Sequence, residues 1–318
     1  MTRCRGLIAA IATATLALAA NAAAQSYPDR IIEMVVPSTP GSSADILGRI
    51  LGDSMGAQLG QRFVVLNKAG GSGILGTAEV ARAKPDGYTL MHGAAFSVTV
   101  QPLTERQTSY TAASFEPICQ TFKNDQVIVA RPNSYKSVAD LIAAAKAKTG
   151  GLNYGSPGLG TIPHLSMAEL SQISKTEFNH VPFKGPAEAI QMAHAGQIEF
   201  SVVPLTAAAN SGLVMPGLFA EKRNSSIPDV PTVKEQGFDV APLSIGGLLA
   251  PKGLPADIKK KLEAACITAK ESEPFQRIVK STFQPSDYFA DSAGFAANLN
   301  KDVADKRRLL TALGMVKN

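Results

Sequence analysis

Four times, this chain runs from an apolar, β-branched stretch through a loop rich in Gly, Ser or Thr into a helix-like pattern. The loops occupy residues 37–43, 70–73, 155–161 and 183–186. Such a loop leaves backbone N–H groups free at a helix N-terminus, where the positive end of the helix dipole favours a bound anion. The repeated pattern therefore predicts a fold that holds a small carboxylate at its loops.

Strand-like and helix-like segments alternate along the chain, which is typical of an α/β architecture with a mostly parallel sheet. The first unit has predicted strands at 31–36, 63–66 and 88–92, with helices between them. Residues 115–131 are too long for one ordinary strand and have a polar middle at 123–125, so we expect a strand, a hinge and a second strand. A second α/β unit follows, with strands predicted at 152–154, 178–183 and 198–203 and helices at 137–146, 164–173 and 186–194.

Two local signals mark where this second unit begins and where it ends. Ser137 and Asp140 resemble a capping box, with Asp in place of the usual Glu, at the start of its first helix. After Asn224 the composition changes to Pro-rich connections around a strand-like segment at 246–250, which indicates a return crossing. Helices predicted at 257–270 and 292–313 then close the chain against the first lobe.

The first 24 residues have the pattern of a secretory signal peptide. Arg3 and Arg5 form a basic region, an apolar region runs from Leu7 to Ala20, and residues 22–24 offer an A-x-A cleavage site. The apolar region is shorter than the roughly 20 residues that a membrane span needs. We therefore expect cleavage after Ala24 and export to the periplasm.

Charge and cysteine content limit the classes of function. The formal net charge of +5 is not gathered into a stripe with interleaved aromatic residues, so nucleic-acid binding is not expected. Cys4 leaves with the signal, and Cys119 and Cys266 remain in a compartment that permits disulfides. The sequence leaves two interpretations open for them, a disulfide or two buried thiols.

Catalytic and metal-binding motifs are weak in this sequence. Gly71, Gly73 and Gly76 form a G-x-G-x-x-G, but the acidic residue that a dinucleotide site needs about 20 positions later is missing. The four histidines, of which His164 lies near the start of a helix below a glycine loop, lack metal-ligand spacing. Asp45 is expected to cap its helix N-terminus or to complement the helix dipole. No cofactor, metal or catalytic residue is predicted.

A series of motifs resembles the periplasmic receptors of the tripartite tricarboxylate transporters, often called Bug receptors. The matching segments are residues 27–30, 37–45, 67–76, 84–90, 154–165, 182–185 and 228–237. They occur in the family's order and cover nearly the whole mature chain. The resemblance implies a two-lobed type II periplasmic binding fold, with two Rossmann-like lobes joined by crossing strands and the ligand cleft between them. It also implies delivery of the ligand to a membrane permease.

The resemblance further implies where the lobes and the ligand site lie. Lobe I is expected at 25–123 plus 226–318 and lobe II at 124–225. The ligand-binding candidates on lobe I are Ser38, Thr39, Pro40, Gly41, Ser42, Gly71, Ser72, Ala94 and Ala95. The candidates on lobe II are Ser156, Gly160, Thr161, Lys184 and Pro204.

Departures from the family pattern bear on the ligand. Ser38 stands where the family usually has Phe, and Ser42 where it has Gly, so a wider and more polar pocket is expected. The segment around Pro204 lacks the acid that could pair an ammonium group, and an unpaired buried charge is costly. The expected ligand is therefore an organic mono- or dicarboxylate, aliphatic or aromatic, rather than an amino acid.

The expected mechanism is capture by lobe closure in a monomer. Hinges are predicted near residues 123–126 and between 224 and 244, and closure would remove water from the bound anion. Two alternatives use the same cleft. One is a secreted enzyme with His164 or Lys184 as acid or base, and the other is a receptor that feeds a sensor kinase.

Overall fold

The computed structural model describes residues 27–106 and 108–317. At Ser72 it describes the backbone but not the side chain. The predicted signal peptide, residues 1–24, lies outside the described residues. No helix in the described ranges is long and apolar enough to cross a membrane.

Ten strands and eleven helices are found in the described ranges. The strands are β1 Ile32–Val36, β2 Phe63–Asn67, β3 Thr89–Ala94, β4 Phe115–Lys123, β5 Gln126–Ala130, β6 Leu152–Ser156, β7 Phe178–Pro182, β8 Phe200–Pro204, β9 Val214–Phe219 and β10 Ile245–Pro251. The helices are α1 Ser43–Leu59, α2 Ile74–Arg82, α3 Phe96–Thr99, α4 Gln101–Thr104, α5 Val138–Ala147, α6 Ile162–Ser174, α7 Pro186–His194, α8 Leu205–Ala208, α9 Ala256–Lys270, α10 Glu273–Ser281 and α11 Ser292–Ala312. Short 3-10 turns lie at Gly71–Gly73 and Ala112–Ser114.

The strands form two five-stranded sheets, which confirms the predicted α/β class. The first sheet has the order β2-β1-β3-β10-β4 and the second has the order β7-β6-β8-β5-β9. In each sheet three strands are parallel neighbours, and a fourth, β10 or β5, lies antiparallel between the third and an outer strand. We call the parts built on these sheets the first and second lobes.

The chain passes between the sheets at two places. The first crossing is the short link between β4 and β5, and the second crossing is the longer segment 220–244 between β9 and β10. The buried Asn224 amide ties them together, because its Nδ2 donates to Asp125 Oδ2 at 2.9 Å. The same Nδ2 also donates to the Phe283 carbonyl at 2.9 Å. The expected strand–hinge–strand over residues 115–131 thus corresponds to β4, the link and β5.

Each sheet is covered by helices on both faces, as its apolar strands require. Leu47, Leu262 and Phe275 from α1, α9 and α10 pack on one face of the first sheet. Val80 and Phe295 from α2 and α11 pack on the other face. Helices α5 and α6 cover one face of the second sheet and α7 covers the other.

The two lobes also share an apolar cluster. Leu165 of α6 is fully buried against Leu309 and Leu310 near the end of α11 and against Val100 and Leu103 of the first lobe. The last helix therefore packs on both lobes.

A disulfide joins Cys119 of β4 to Cys266 of α9 within the first lobe, with their Cα atoms 6.6 Å apart. This decides between the two interpretations that the sequence left open. Both cysteines are fully buried in the core around the first sheet.

Helix capping agrees with the sequence at the start of α5, whereas at the start of α1 the N-cap is Ser42 rather than the expected Asp45. Ser42 is the N-cap of α1, and its Oγ accepts from the Asp45 N–H at 3.3 Å. Ser137 and Asp140 form the predicted capping box at the start of α5.

Some elements were not predicted from the sequence. Strand β9 contains Pro216 and Gly217, which are typical strand breakers, but β9 lies at the sheet edge, where proline is tolerated. Helix α10 has Pro274 at its start and buries Phe275 and Val279, four residues apart on one face.

Candidate ligand-binding cleft

The first two glycine-bearing loops lie side by side at one edge of the first sheet. Strands β1, β2 and β3 are parallel, so the loops that follow them meet at their carboxyl ends. Pro37 is buried between these loops: a Cβ on Gly73, which has φ +98°, would lie 2.8 Å from the Pro37 carbonyl oxygen. A Cβ on Gly93 would lie 3.1 Å from the Pro37 ring. The second loop can approach the first this closely because Gly73 has no side chain.

A cavity of about 270 Å³ opens at this edge. It is lined by the first loop, the start of α1, the end of β3, α3 and the end of β4. Its residues are Pro37, Ser38, Ser42, Ser43, Ala44, Gly93, Ala94, Phe96, Ser97, Phe122 and Asn124. The cavity is large enough for a small organic acid, and it combines hydroxyl groups with two aromatic rings.

The predicted residues of the first lobe fall into three groups. Ser38, Ser42 and Ala94 line the cavity, and the Oγ atoms of the two serines lie 2.6 Å apart. Thr39, Pro40, Gly41 and Gly71 are exposed on the loops around it. Ala95, expected on the cleft floor, is instead 1 % exposed and packs in the core behind the cavity. The side chain of Ser72 lies outside what the structure describes.

Three of the glycine-bearing loops contain the same type of hydrogen bond between a backbone amide and a side chain. The N–H of the residue before the N-cap donates to the side chain of the third helical residue, four positions later, much as in a capping box. The pairs are Gly41 with Asp45 Oδ2 at 2.8 Å, Gly160 with His164 Nδ1 at 3.1 Å, and Lys184 with Glu188 Oε2 at 3.0 Å. The amides of Gly41 and Gly160, which the sequence assigned to the ligand, thus already have a partner within the protein.

At the start of α1, the amides that stay free belong to the two residues that follow the N-cap. In the part of the chain that the structure describes, the N–H groups of Ser43 and Ala44 have no hydrogen-bond partner, and both residues line the cavity. They are the first and second residues of α1, where amides point out of the helix end. The start of α1 therefore offers an anion two donors and the positive end of a 17-residue helix.

A buried carboxylate stabilises this helix end without opposing an anion strongly. Asp45 is 3 % exposed, and its Oδ1 lies 2.9 Å from both Arg49 Nη2 and Asn67 Nδ2. Burial raises its pKa, but hydrogen bonds from Arg49, Gly41 and Asn67 outweigh burial and hold the pKa below its ordinary value. Asp45 is therefore ionised and paired with Arg49, which offsets its charge.

A buried histidine is hydrogen-bonded to the start of α1. His92 of β3 is fully buried, with Nδ1 2.9 Å from the Ala44 carbonyl oxygen and Nε2 2.8 Å from Thr121 Oγ1. Since the carbonyl can only accept, Nδ1 carries the hydrogen and Nε2 accepts from Thr121. Burial lowers the pKa of His92 to about 4, so the ring is neutral at pH 7.

The loops of the second lobe present neutral polar groups. Ser156 is fully buried at the end of β6, and its Oγ lies 2.7 Å from His180 Nε2. The His180 ring packs 4.2 Å from that of His164, centroid to centroid. Burial, with the neighbouring His164, lowers the pKa of His180 to about 4, and burial also lowers the pKa of His164. At pH 7 this pair therefore brings no positive charge.

The remaining candidates of the second lobe differ in how they are held. Thr161 is the N-cap of α6, and its Oγ1 donates to the Gly158 carbonyl at 2.7 Å. Lys184 is exposed, and Pro204 is half-buried at the end of β8. None of these residues lines the cavity described above.

Sequence reasoning missed several residues that line this cavity. They are Ala44, Gly93, Phe96, Ser97, Phe122 and Asn124. Asn124 belongs to the polar segment 123–125, which the sequence analysis interpreted only as a hinge. The described residues contain no group of three or more His, Cys, Asp or Glu that could hold a metal ion.

Comparison with known families gives one consistent match. The model of the family described as "Tripartite tricarboxylate transporter family receptor" matches residues 47–315. A Cupriavidus necator protein from the gbd 5′ region is 34% identical over 97% of this chain and 96% of its own length. Protein BugT of Bordetella pertussis is 30% identical over 80% of each chain.

Solved structures share the fold. A TctC solute-binding protein from Polaromonas has a TM-score of 0.78 and 29% identity, covering 90% of this chain and 100% of its own. MatC from Rhodopseudomonas palustris with bound malate has a TM-score of 0.74 and 24% identity over 89% of this chain and 100% of its own, and supports the fold alone. The same holds for an R. palustris protein with adipate, with a TM-score of 0.78 and 24% identity over 91% of this chain and 99% of its own. The receptor description of the family and the solute-binding description of the Polaromonas protein confirm the prediction of a binding protein rather than an enzyme.

Proposed function

The chain belongs to the tripartite tricarboxylate transporter receptor family, and from this membership we propose that it captures a small organic carboxylate in the cavity at the start of α1. The lobes close over the ligand, and the loaded protein delivers it to the membrane permease of this transporter class. The observation that carries the proposal is the pair of free amides, Ser43 and Ala44, at the wall of the 270 Å³ cavity.

The chemistry of the cavity supports an anion with an apolar part. Two amides at a helix N-terminus and the hydroxyls of Ser38 and Ser42 face the cavity, and they suit a carboxylate through charge-assisted hydrogen bonds. Phe96 and Phe122 line the same space and suit a carbon chain or ring. The ligand class proposed is therefore a mono- or dicarboxylate, aliphatic or aromatic, in keeping with the related structures that hold malate and adipate.

The second lobe is proposed to complete the site on closure. Its boundaries are taken as residues 124–225, and the first lobe as 25–123 plus 226–318. Ser156, Gly160, Thr161, Lys184 and Pro204 would contact the part of the ligand that the first lobe leaves exposed. The two crossings, joined by Asn224 and Asp125, would act as the hinge.

The cellular setting follows from the family and the N-terminal sequence. Solved relatives are described as periplasmic, and we propose that this chain reaches the periplasm after cleavage of residues 1–24. There it would act as a monomer.

The proposal is tested most sharply at Ser43. The residue is the first of α1, where proline is favoured because its missing N–H would have no helical partner. Ser42 is extended, with φ −67° and ψ 158°, as the residue before a proline requires. Ser43→Pro therefore removes one donor while the helix keeps its shape, and the matched control Ser43→Ala keeps the donor and removes the hydroxyl.

The assay is isothermal titration calorimetry with a panel of carboxylic acids, including succinate, malate, adipate and benzoate. A charge-assisted hydrogen bond contributes about 1.5–3 kcal/mol, so Ser43→Pro should weaken binding by about 10- to 100-fold and Ser43→Ala far less. X-ray scattering with and without the tightest acid should show compaction. Absence of binding by every acid in the panel, or equal affinity of the proline and alanine variants, would contradict the proposal.

A further inference from the structure

The segment that follows the last helix lies between the two lobes. The chain turns at the end of α11, where the Met315 N–H donates back to the Leu310 carbonyl at 2.8 Å. The Lys317 N–H then donates to the Leu103 carbonyl of α4 at 2.9 Å. We call residues 313–317 the strap. Backbone hydrogen bonds thus fix the strap to the first lobe at both of its ends.

The side chains of the strap contact the second lobe. Leu313, Met315 and Val316 pack against the apolar cluster that contains Leu165 of α6. The methyl carbon of Met315, Cε, also lies 3.8 Å from where a Cβ on Gly160 would be. Gly160 belongs to the loop before α6, which supplies proposed ligand contacts. The strap therefore joins the first lobe to a proposed binding loop of the second lobe.

The hydrogen bonds described for this loop stay within the second lobe. The Gly160 N–H donates to His164 Nδ1 at 3.1 Å, and Thr161 Oγ1 donates to the Gly158 carbonyl at 2.7 Å. Both glycines have positive φ, +137° at Gly158 and +75° at Gly160. Since no hydrogen bond described for the loop reaches the first lobe, the apolar contact with Met315 is what links the two.

The cluster beneath the strap also reaches the wall of the ligand cavity. Phe96, which lines the cavity, packs against the same cluster as Met315 and Val316. The cavity wall, the strap and the loop around Gly160 are therefore continuous through side-chain contacts.

We propose that Met315 is a positioning residue for ligand binding, which holds the second-lobe loop close to the first lobe before a ligand arrives. This inference rests on the proposed function, since that function assigns residues of the loop to the ligand. Part of lobe closure is then already in place in the ligand-free protein. The affinity of a receptor rises with the fraction of molecules that are ready to bind, so the strap should strengthen binding.

The experiment compares three variants with the wild type. Met315→Ala removes the contact, and Met315→Leu keeps an apolar side chain of similar volume. The matched control is Met192→Ala, because Met192 is also half-buried but packs in the core of the second lobe. Thermal unfolding of each variant reports whether it is folded.

Two measurements test the role of Met315. X-ray scattering without ligand should give a larger radius of gyration for Met315→Ala than for the wild type. Calorimetry with the tightest acid of the panel should give about 3- to 10-fold weaker binding by Met315→Ala, as the loss of a half-buried methionine contact allows. Met315→Leu and Met192→Ala should match the wild type in both measurements.

The outcomes separate this inference from the proposed function. An unchanged radius or an unchanged affinity of Met315→Ala overturns the inference, and so does an equal loss of affinity in Met192→Ala. In each of these cases the wild type still binds an acid, and the proposed function stands. Failure of the wild type to bind any acid in the panel overturns both.

Discussion

Acid should destabilise this protein through His92, the buried ring beneath the start of α1. Burial lowers its pKa to about 4, whereas an ordinary histidine has a pKa near 6.5. Between these values the unfolded chain binds more protons than the folded protein, so the free energy of unfolding decreases as the pH decreases. The contribution of His92 is fully present above pH 6.5 and is lost as the pH falls towards 4.

The magnitude follows from the pKa difference. At about 1.4 kcal/mol per unit, a difference of about 2.5 units limits the loss to about 3.4 kcal/mol, and about 2 kcal/mol of it should be lost between pH 7 and pH 5. His92 is fully buried, so solvent screening does not reduce this value much. Protonation would also place a donor where Nε2 now accepts from Thr121.

The assay is urea unfolding of the wild type and His92→Gln at pH 7 and pH 5, followed by circular dichroism. Glutamine does not titrate, so the variant should lose about 2 kcal/mol less than the wild type over this interval, whatever its stability at pH 7. The control is His194→Gln, which removes an exposed histidine at the end of α7 and should follow the wild type. If the His92 variant and the wild type lost the same free energy, the neutral buried ring would not explain the acid sensitivity.

Three further predictions concern stability. Replacing Cys119 and Cys266 together by Ser should lower the free energy of unfolding by about 2–5 kcal/mol in urea, with unchanged carboxylate affinity, because the bond lies in the first-lobe core. Leu165→Ala should cost about 2–5 kcal/mol, since this side chain is fully buried between the lobes, whereas Leu159→Ala at a 68 % exposed position should stay within about 0.5 kcal/mol. Asn224→Ala should cost about 1–3 kcal/mol by calorimetric unfolding, because it removes the donor from Asp125 in the first crossing and from the Phe283 carbonyl, and an unchanged transition would refute its role there.

Much of the fold was predictable because its signals are local. The alternation of apolar strands and amphipathic helices, and the Ser137–Asp140 capping box, each depend on residues a few positions apart. The disulfide was not predictable, because it requires two cysteines 147 positions apart to lie within bonding range in space. Strand β9 was missed for a related reason: its Pro216 is acceptable only at a sheet edge, and the sequence does not reveal strand order.

The site was predictable as a set of loops but not atom by atom. Ser38 and Ser42 reach the cavity as expected, yet the amide of Gly41 is used by Asp45. That choice depends on the rotamer of a side chain one turn into the helix, which a motif does not specify. The position of Asn124 at the cavity wall was missed because the loop and strand ends that form the cavity around it come mostly from distant parts of the sequence.

Because β10 lies between β3 and β4, the first sheet draws its strands from two distant parts of the chain. All five strands of the second sheet lie within residues 126–219 and can come together as soon as that stretch is available. The first sheet, by contrast, needs residues 245–251, which form β10 between β3 and β4. A chain shortened before residue 245 would leave β4 without β10, its only strand neighbour in the sheet, so the first sheet depends on a segment that lies beyond the whole of the second sheet in the sequence.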